Sequence, residues 1–486
     1  MNTLRNDSAS DNDETRAQPG TVDTASDSDR AAVIRNALTD KLRASGMITS
    51  PVVERAFRTV PRHLFVAEGT PLEVAYNADD SVAIKRDTDG VIISSTSAPF
   101  IQARMIEQAG LGPGMSVLEI GSGGYNAALL AEVVGPHGRV ISVDIDPEVT
   151  DRARDLLEAT GYGGRVTVVQ VDAEGRIPGL DQPVDAILVT VGAWDLAPAW
   201  LEQLSADGTI VVPLRMNGVT RSIGLRREGG HLVSTSAEVC GFVPMQGSGA
   251  HDERVFLLSD QQGRHVKLRF DGDAPQDLSP LDGVLATERT EVWSGVTIKH
   301  GVSFADLHLW FAGFLPGFCK LAVDEGTDLA AERKSWFPFG VVRGDSFAYL
   351  SVRPALDGAG VEFGARAYGA HAHAPAAALV EQIQAWDRHA RGGGEPTFAY
   401  WPTGAARPQF GEHTAVLAKT HGLVTISWPP TADAAAGQGV LETERPSWPV
   451  ARGSWPAWRS AAASVLSRGE NGRKRTQRGM TGRFTR

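Results

Sequence analysis

Residues 117–131 read VLEIGSGGYNAALLA, an apolar run, then a glycine-rich turn, then an alanine- and leucine-rich helix. Gly121, Ser122, Gly123 and Gly124 form the turn, where bulky side chains would block close approach of a ligand to the backbone. A dinucleotide loop of the G-x-G-x-x-G kind rests a pyrophosphate on the helix N-terminus. Here Glu119 stands two residues before the first glycine, and a carboxylate at that point repels a pyrophosphate. It suits a cationic ligand, such as the amino end of S-adenosylmethionine. Asp144 closes the next apolar run, where a carboxylate can bridge two ribose hydroxyls, and Ile145 follows it. Asp172 closes the third run beside small Ala173, fitted to accept from an adenine amino group, and Thr190 completes the set at the fourth. Another candidate is SSTSAPF at 94–100, with Ser97, Pro99 and Phe100. On spacing alone Ser97 reads as a turn or helix-capping serine, since Pro99 opens the helical stretch IQARMIEQAG. Trp194, in GAWDLAP after the fourth run, reads equally as the wall of an acceptor cleft or as packing.

These groups need a scaffold, and the chain between about 115 and 225 supplies one. SVLEI, RVISVD, RVTVVQVD, DAILVTV and TIVVPL are short apolar runs alternating with helical stretches, notably at 127–134 and 147–159. That alternation predicts a parallel sheet covered on both faces, with ligands collected at the strand ends of its switch point. Upstream, Val33, Ile34, Leu38 and Leu42 form one helical stripe. A short helix follows from Pro51, with Ser50 as the expected N-cap, and ends at Pro61. Past 220 the texture changes to hairpins around Glu228–Gly230 and within RVFLLSDQQGRHVKLRF, strands at SFAYLSV and GVEFGARAYG, a helix over 375–391 and a last strand in GLVTISWP. The expected division is a disordered acidic arm over 1–30, a catalytic domain over 31–250, an α+β domain over 251–430 and an irregular basic tail over 431–486.

Composition narrows the function. The 486 residues carry a net charge of −11, which disfavours a general nucleic-acid binder. No run approaches the roughly 20 apolar residues of a membrane span, and residues 1–20 lack the apolar core of a signal peptide. Cys240 and Cys319 lie far apart without zinc spacing, which points to a reducing compartment, the cytoplasm by default. His371 and His373 stand two residues apart with no cysteine or acid beside them, so no metal site is expected. Phe304, Leu307, Trp310, Phe311 and Phe314 form an apolar stripe that reads first as core and second as a peptide groove.

The order of motifs over about 31–250 resembles the protein-L-isoaspartate O-methyltransferases. VPRHLF (60–65), Tyr76, SSTSAPF, VLEIG, RVISVD, VDAILVTVGA, LEQLSADGTIVVP and GFVPMQG follow one another in family order. The resemblance implies a class I, Rossmann-like α/β methyltransferase domain that uses S-adenosylmethionine to methylate a carboxylate. It assigns the cofactor to Glu119, Gly121–Gly124, Asp144, Ile145, Asp172, Ala173 and Thr190. It sets Ser97 beside the acceptor, with Pro99, Phe100 and Trp194 lining the substrate. Three departures stand out: the glycine loop is one residue shorter, Phe100 stands where repair enzymes often have His, and more than 230 residues follow the FVP segment. With them the chain resembles the peptide-tailoring, FxLD-type branch associated with lanthipeptide and related ribosomal peptides. That implies methylation of an aspartate side chain in a precursor peptide, already cyclised, leading to aspartimide or isoaspartate. Housekeeping repair of isoaspartyl residues, and a non-catalytic binding module on the same fold, are the alternatives. Neither a nucleic-acid nor a membrane partner is expected, and no oligomeric state is indicated.

Overall fold

The computed structural model describes residues 24–429; the tail from 431, and the acidic arm up to residue 23, lie outside them. The remainder of the expected arm belongs to a helix, Thr24–Ala44, which packs with Pro51–Thr59 against the catalytic core. Ser50 sits at the N-cap of the second helix, but its hydroxyl goes to Glu107 (3.0 Å) instead of to the helix backbone.

A small hairpin, β1 (Val82–Arg86) and β2 (Ile92–Thr96), precedes the helix Pro99–Ala109. The alternating region then forms β3 (Ser116–Ile120), β4 (Arg139–Asp144), β5 (Val166–Gln170), β6 (Val184–Val189) and β7 (Leu204–Met216). β4 and β6 pair parallel to either side of β3, so the order reverses there and opens a crevice at the carboxyl ends of the strands. The helices Tyr125–Val134 and Pro147–Ala159 make the crossovers, and Asp146 caps the second by accepting from the Glu148 amide at 2.9 Å. β8 (Val219–Glu228) and β9 (His231–Val239) add the expected hairpin, antiparallel to β7.

A separate sheet follows, built from β10 (Arg254–Ser259), β11 (His265–Phe270), β12 (Thr290–Lys299), β13 (Phe318–Val323), β14 (Trp336–Arg343), β15 (Ser346–Pro354) and β16 (Gly360–Gly369). The helix His373–His389 covers it. The chain then returns: β17 (Thr397–Pro402) pairs antiparallel with β9, followed by β19 (Gly422–Ser427) and β18 (Thr414–Ala418). The sheet that began with β3 thus has ten strands in the order β18-β19-β17-β9-β8-β7-β6-β3-β4-β5. Residues 397–427 thus extend the sheet that began with β3, with β17 pairing on the edge of β9.

One apolar cluster runs through both sheets and joins Ile210, Ile223, Phe311, Phe363 and Ile383. The aromatic stripe is core, as its first reading had it. Leu307, Trp310 and Phe311 of helix Ala305–Phe314 are buried, and Trp310 donates to Gln382 at 2.8 Å. Each such buried side chain contributes about 1.5–3 kcal/mol.

Candidate active site

The crevice at the carboxyl ends of β3, β4 and β6 holds about 700 Å³ of space, counting its open mouth. Gly121 starts its floor at φ 99°, and a Cβ there would lie 2.5 Å from the Thr190 hydroxyl. That hydroxyl donates to the Gly121 carbonyl at 2.7 Å, so β6 and the loop are locked together. Only glycine fits the position, for conformation and for space. The loop is tied to β4 as well, through the Ser122 amide and Asp144 (3.0 Å). Asp144 also accepts from the Asp146 amide (2.9 Å), and burial lifts its proton affinity above the usual carboxylate range. It faces the crevice with Ile145, Ala173 and Thr190.

Glu119 is placed differently. It lies fully buried beneath the loop, accepting from Asn126 (2.8 Å) and from Ser142. Burial raises its carboxyl to about 7, with Asp144 adding to the rise against the two hydrogen bonds. It is absent from the crevice lining, and its two hydrogen bonds tie β3 to β4 and to the helix Tyr125–Val134. Asp172 borders the cleft with both oxygens engaged, one by the Glu174 amide (3.0 Å) and one by the Ser248 amide (2.8 Å). Burial pushes its proton affinity up, and these amides outweigh that push and hold it low. The approach of Ser248 requires Gly247, whose φ is 76° and whose Cβ would sit 2.6 Å from the Asp172 carboxylate.

Above the floor, the β1–β2 hairpin and residues Val243–Gln246 form a roof. Lys85 pins the hairpin to Asp146 (2.6 Å) and Glu148 (2.9 Å) at the start of the Pro147–Ala159 helix. Ser94 and Ser95 border the crevice directly; Ser97 lies farther along, half-buried, with no partner for its hydroxyl among the described residues. Pro99 is buried at the first turn of its helix, and Phe100 is half-buried beside it.

The residue holding the 94–100 segment lies in VPRHLF. Arg62 is fully buried and donates to the carbonyls of Ala75 (2.7 Å), Thr96 (3.3 Å) and Ser97 (2.8 Å), and to Gln102 (2.8 Å). Burial lowers its guanidinium to about 10, so it stays charged at neutral pH, and it also lies 4.9 Å over the Tyr125 ring. A buried arginine surrounded by carbonyls is a positioning clamp.

Trp194 is half-buried. It stacks on His251 at 3.7 Å, and the Lys419 ammonium lies 3.3 Å from its ring centroid. His371 pairs with Asp345 (2.8 Å), and no cluster able to hold a metal occurs among the described residues.

The geometry fits a nucleoside cofactor. A glycine floor that a Cβ would fill, a carboxylate at the end of β4 and the Ser122 hydroxyl, buried on the cleft wall without a hydrogen-bond partner, all await polar groups.

A family model described as protein-L-isoaspartate(D-aspartate) O-methyltransferase matches residues 33–250. The enzyme of that name from Methanopyrus kandleri is 38% identical over 221 residues, which cover 45% of this chain and 94% of that relative. This chain belongs to the protein-L-isoaspartate O-methyltransferase family. A relative from Hyperthermus butylicus is 34% identical over 44% of this chain and 88% of its own length. A solved protein-L-isoaspartate O-methyltransferase is similar at 26% identity, covering 50% of this chain and 88% of that one with a TM-score of 0.41. The domain has the class I methyltransferase fold, and S-adenosylmethionine is the cofactor of this family of carboxyl O-methyltransferases. The residues after 250, including β17–β19, lie beyond the matched segment.

Proposed function

We propose that the chain methylates the side-chain carboxylate of an aspartate in a ribosomally made, cyclised precursor peptide. Bound S-adenosylmethionine supplies an electrophilic methyl group on a sulfonium. Asp144 would hold the ribose hydroxyls, and Ser122, Ile145, Ala173 and Thr190 would enclose the nucleoside. Asp172 would reach the adenine only by sharing an oxygen with the Ser248 amide. An aspartate carboxylate is already ionised at neutral pH, so no base is required. The chain's task is to present one carboxylate oxygen in line with the methyl carbon and keep water away, which supplies most of the acceleration. Ser97 would orient the acceptor, held in place by Arg62 through its own carbonyl. The carboxylate would gain the methyl as the carbon–sulfur bond breaks, with S-adenosylhomocysteine as the leaving group. The ester then invites attack by the next backbone nitrogen, which expels methanol and closes an aspartimide that can hydrolyse to isoaspartate.

The observation that supports this reading is the return of β17–β19, from beyond the matched segment, to the sheet that began with β3, where His421 of the β18–β19 turn meets Glu174 at 2.9 Å, two residues past Asp172. Repair of isoaspartyl residues is the second reading, favoured by the names of the 38%-identical relatives. A matched pair of peptides separates them, identical except for an ordinary aspartyl or an isoaspartyl linkage. Tailoring predicts ester formation on the aspartyl peptide, seen by mass spectrometry. Methylation confined to the isoaspartyl member would establish repair.

A further inference from the structure

Two strand-end loops line one side of the cofactor cleft, through residues 171–173 after β5 and 190–191 after β6. A single residue from beyond the family-matched segment joins them. His421, in the turn between β18 and β19, donates its backbone amide to Asp195 of the second loop at 2.5 Å. Its ring Nε2 lies 2.9 Å from the carboxylate of Glu174 in the first, where the ring donates, since an ionised carboxylate only accepts. The turn is itself anchored from behind. The buried Tyr400 donates its hydroxyl to the same Asp195 carboxylate at 2.8 Å, and the Thr403 amide donates to the His421 carbonyl at 2.8 Å.

Glu174 matters through what it touches. Its amide donates to one Asp172 oxygen at 3.0 Å, and the Ser248 amide takes the other at 2.8 Å. The Glu174 carboxylate also lies against the turn that carries Ser248. A Cβ on Gly249 would sit 2.7 Å from the second Glu174 oxygen and 3.0 Å from Met245 of the cleft wall. Glu174 therefore meets both donors that aim Asp172, one in its own backbone and one across a close contact. From within the family segment, Trp200 steadies the same stretch by donating to the Ala173 carbonyl at 2.7 Å. His421 braces the next residue from outside it.

We propose that His421 is a positioning residue for the cofactor: it braces Glu174 and the loop after β6, and so fixes Asp172 for the adenine amino group of S-adenosylmethionine. The assignment rests on the placement of the adenine at Asp172 and is independent of which carboxylate is methylated. It gives the returning strands a direct part in cofactor recognition. Without the brace, Asp172 and its two amide donors lose a shared support, and a polar contact that depends on exact placement weakens first. Contacts to the rest of the nucleoside, made by the Gly121 loop and Asp144, are held by β3, β4 and β6 and do not pass through His421.

The test uses the full chain and two ligands, S-adenosylhomocysteine and S-inosylhomocysteine, in which an oxygen replaces the adenine amino group. By calorimetry, His421→Ala should weaken S-adenosylhomocysteine about fivefold, the scale of one ordinary hydrogen bond. It should weaken the inosine form less than about twofold, because that ligand offers Asp172 no amino group. His421→Gln, which restores a side-chain N–H at similar reach, should recover most of the loss. Combining His421→Ala with Glu174→Ala should cost no more than Glu174→Ala alone, since both remove the same contact. An equal fall for the two ligands would make His421 a brace of the fold only, and that result, or no fall at all, overturns the assignment. Asp172→Ala with an unchanged ratio of the two affinities would take the adenine away from Asp172. That outcome overturns the assignment at its base, a failure distinct from that of His421.

Discussion

The cofactor end and the proposed acceptor end of the molecule are built in opposite ways. The cofactor end comes from consecutive strand–turn–helix units, so its parts lie close in sequence: the Gly121 loop, Asp144 some 22 residues after Ser122, and Thr190 locking the floor. The proposed acceptor end is assembled from afar. Arg62 reaches Ser97 across 35 residues, and the returning strands tie in over longer spans, Tyr400 to Asp195 across 205 and His421 to Glu174 across 247. A local design serves a fixed ligand. Long-range contacts bring in residues from outside the family segment, and under the proposed function these would add selectivity for a peptide.

The largest break in this comparison should come from Asp144→Ala. It removes a carboxylate that would bind ribose and frees the Ser122 and Asp146 amides it anchors. A charged hydrogen bond and its anchors together contribute about 3 kcal/mol, so affinity for S-adenosylmethionine should fall on the order of a hundredfold by calorimetry. Unchanged binding would remove Asp144 from the cofactor end.

Arg62→Met should act on the other end. It leaves the carbonyls of Ala75 and Ser97 without their donor inside the protein, at a cost of about 2–4 kcal/mol measurable in urea. In the folded variant the acceptor KM should rise about tenfold while cofactor affinity holds within about threefold. Parallel loss of both would mean that Arg62 supports the whole domain and does not specifically position Ser97.

A smaller effect sharpens the role of Glu119. Its carboxyl is raised to about 7 in the fold and stays near 4.5 when unfolded. The native state therefore holds a proton that the unfolded chain has lost, and the associated stability, full below pH 4.5, fades as pH rises through 7. Glu119→Gln keeps an acceptor for Asn126 and removes the titration. The wild type should lose up to about 3 kcal/mol more than the variant between pH 4.5 and 8, read from urea midpoints. Identical pH profiles would show that Glu119 is ionised in the fold throughout.

Much of the cofactor end was legible because strand alternation and glycine turns are local signals. β3 to β7, the helix from Pro147 and the strand-end acids all follow from patterns of about ten residues. The burial of Glu119 was not legible: a carboxylate just before a glycine turn carries no local signal for the Asn126 and Ser142 partners that enclose it. Arg62 carried no spacing signal, since its partners are carbonyls, which every residue has. GLVTISWP read correctly as a strand, yet nothing within it announced pairing through β17 back to β9. Strand existence is written locally, whereas strand partnership depends on which edge remains open.

Hydrogen exchange on the full chain tests the division between the two ends most directly, first with S-adenosylhomocysteine and then with an aspartyl peptide added. Cofactor alone should protect residues 120–124, 144–146 and 172–174. The peptide should add protection over 94–100 and in the returning strands over 397–427. Peptide protection confined to the residues before 250, with none in the returning strands, would contradict the account.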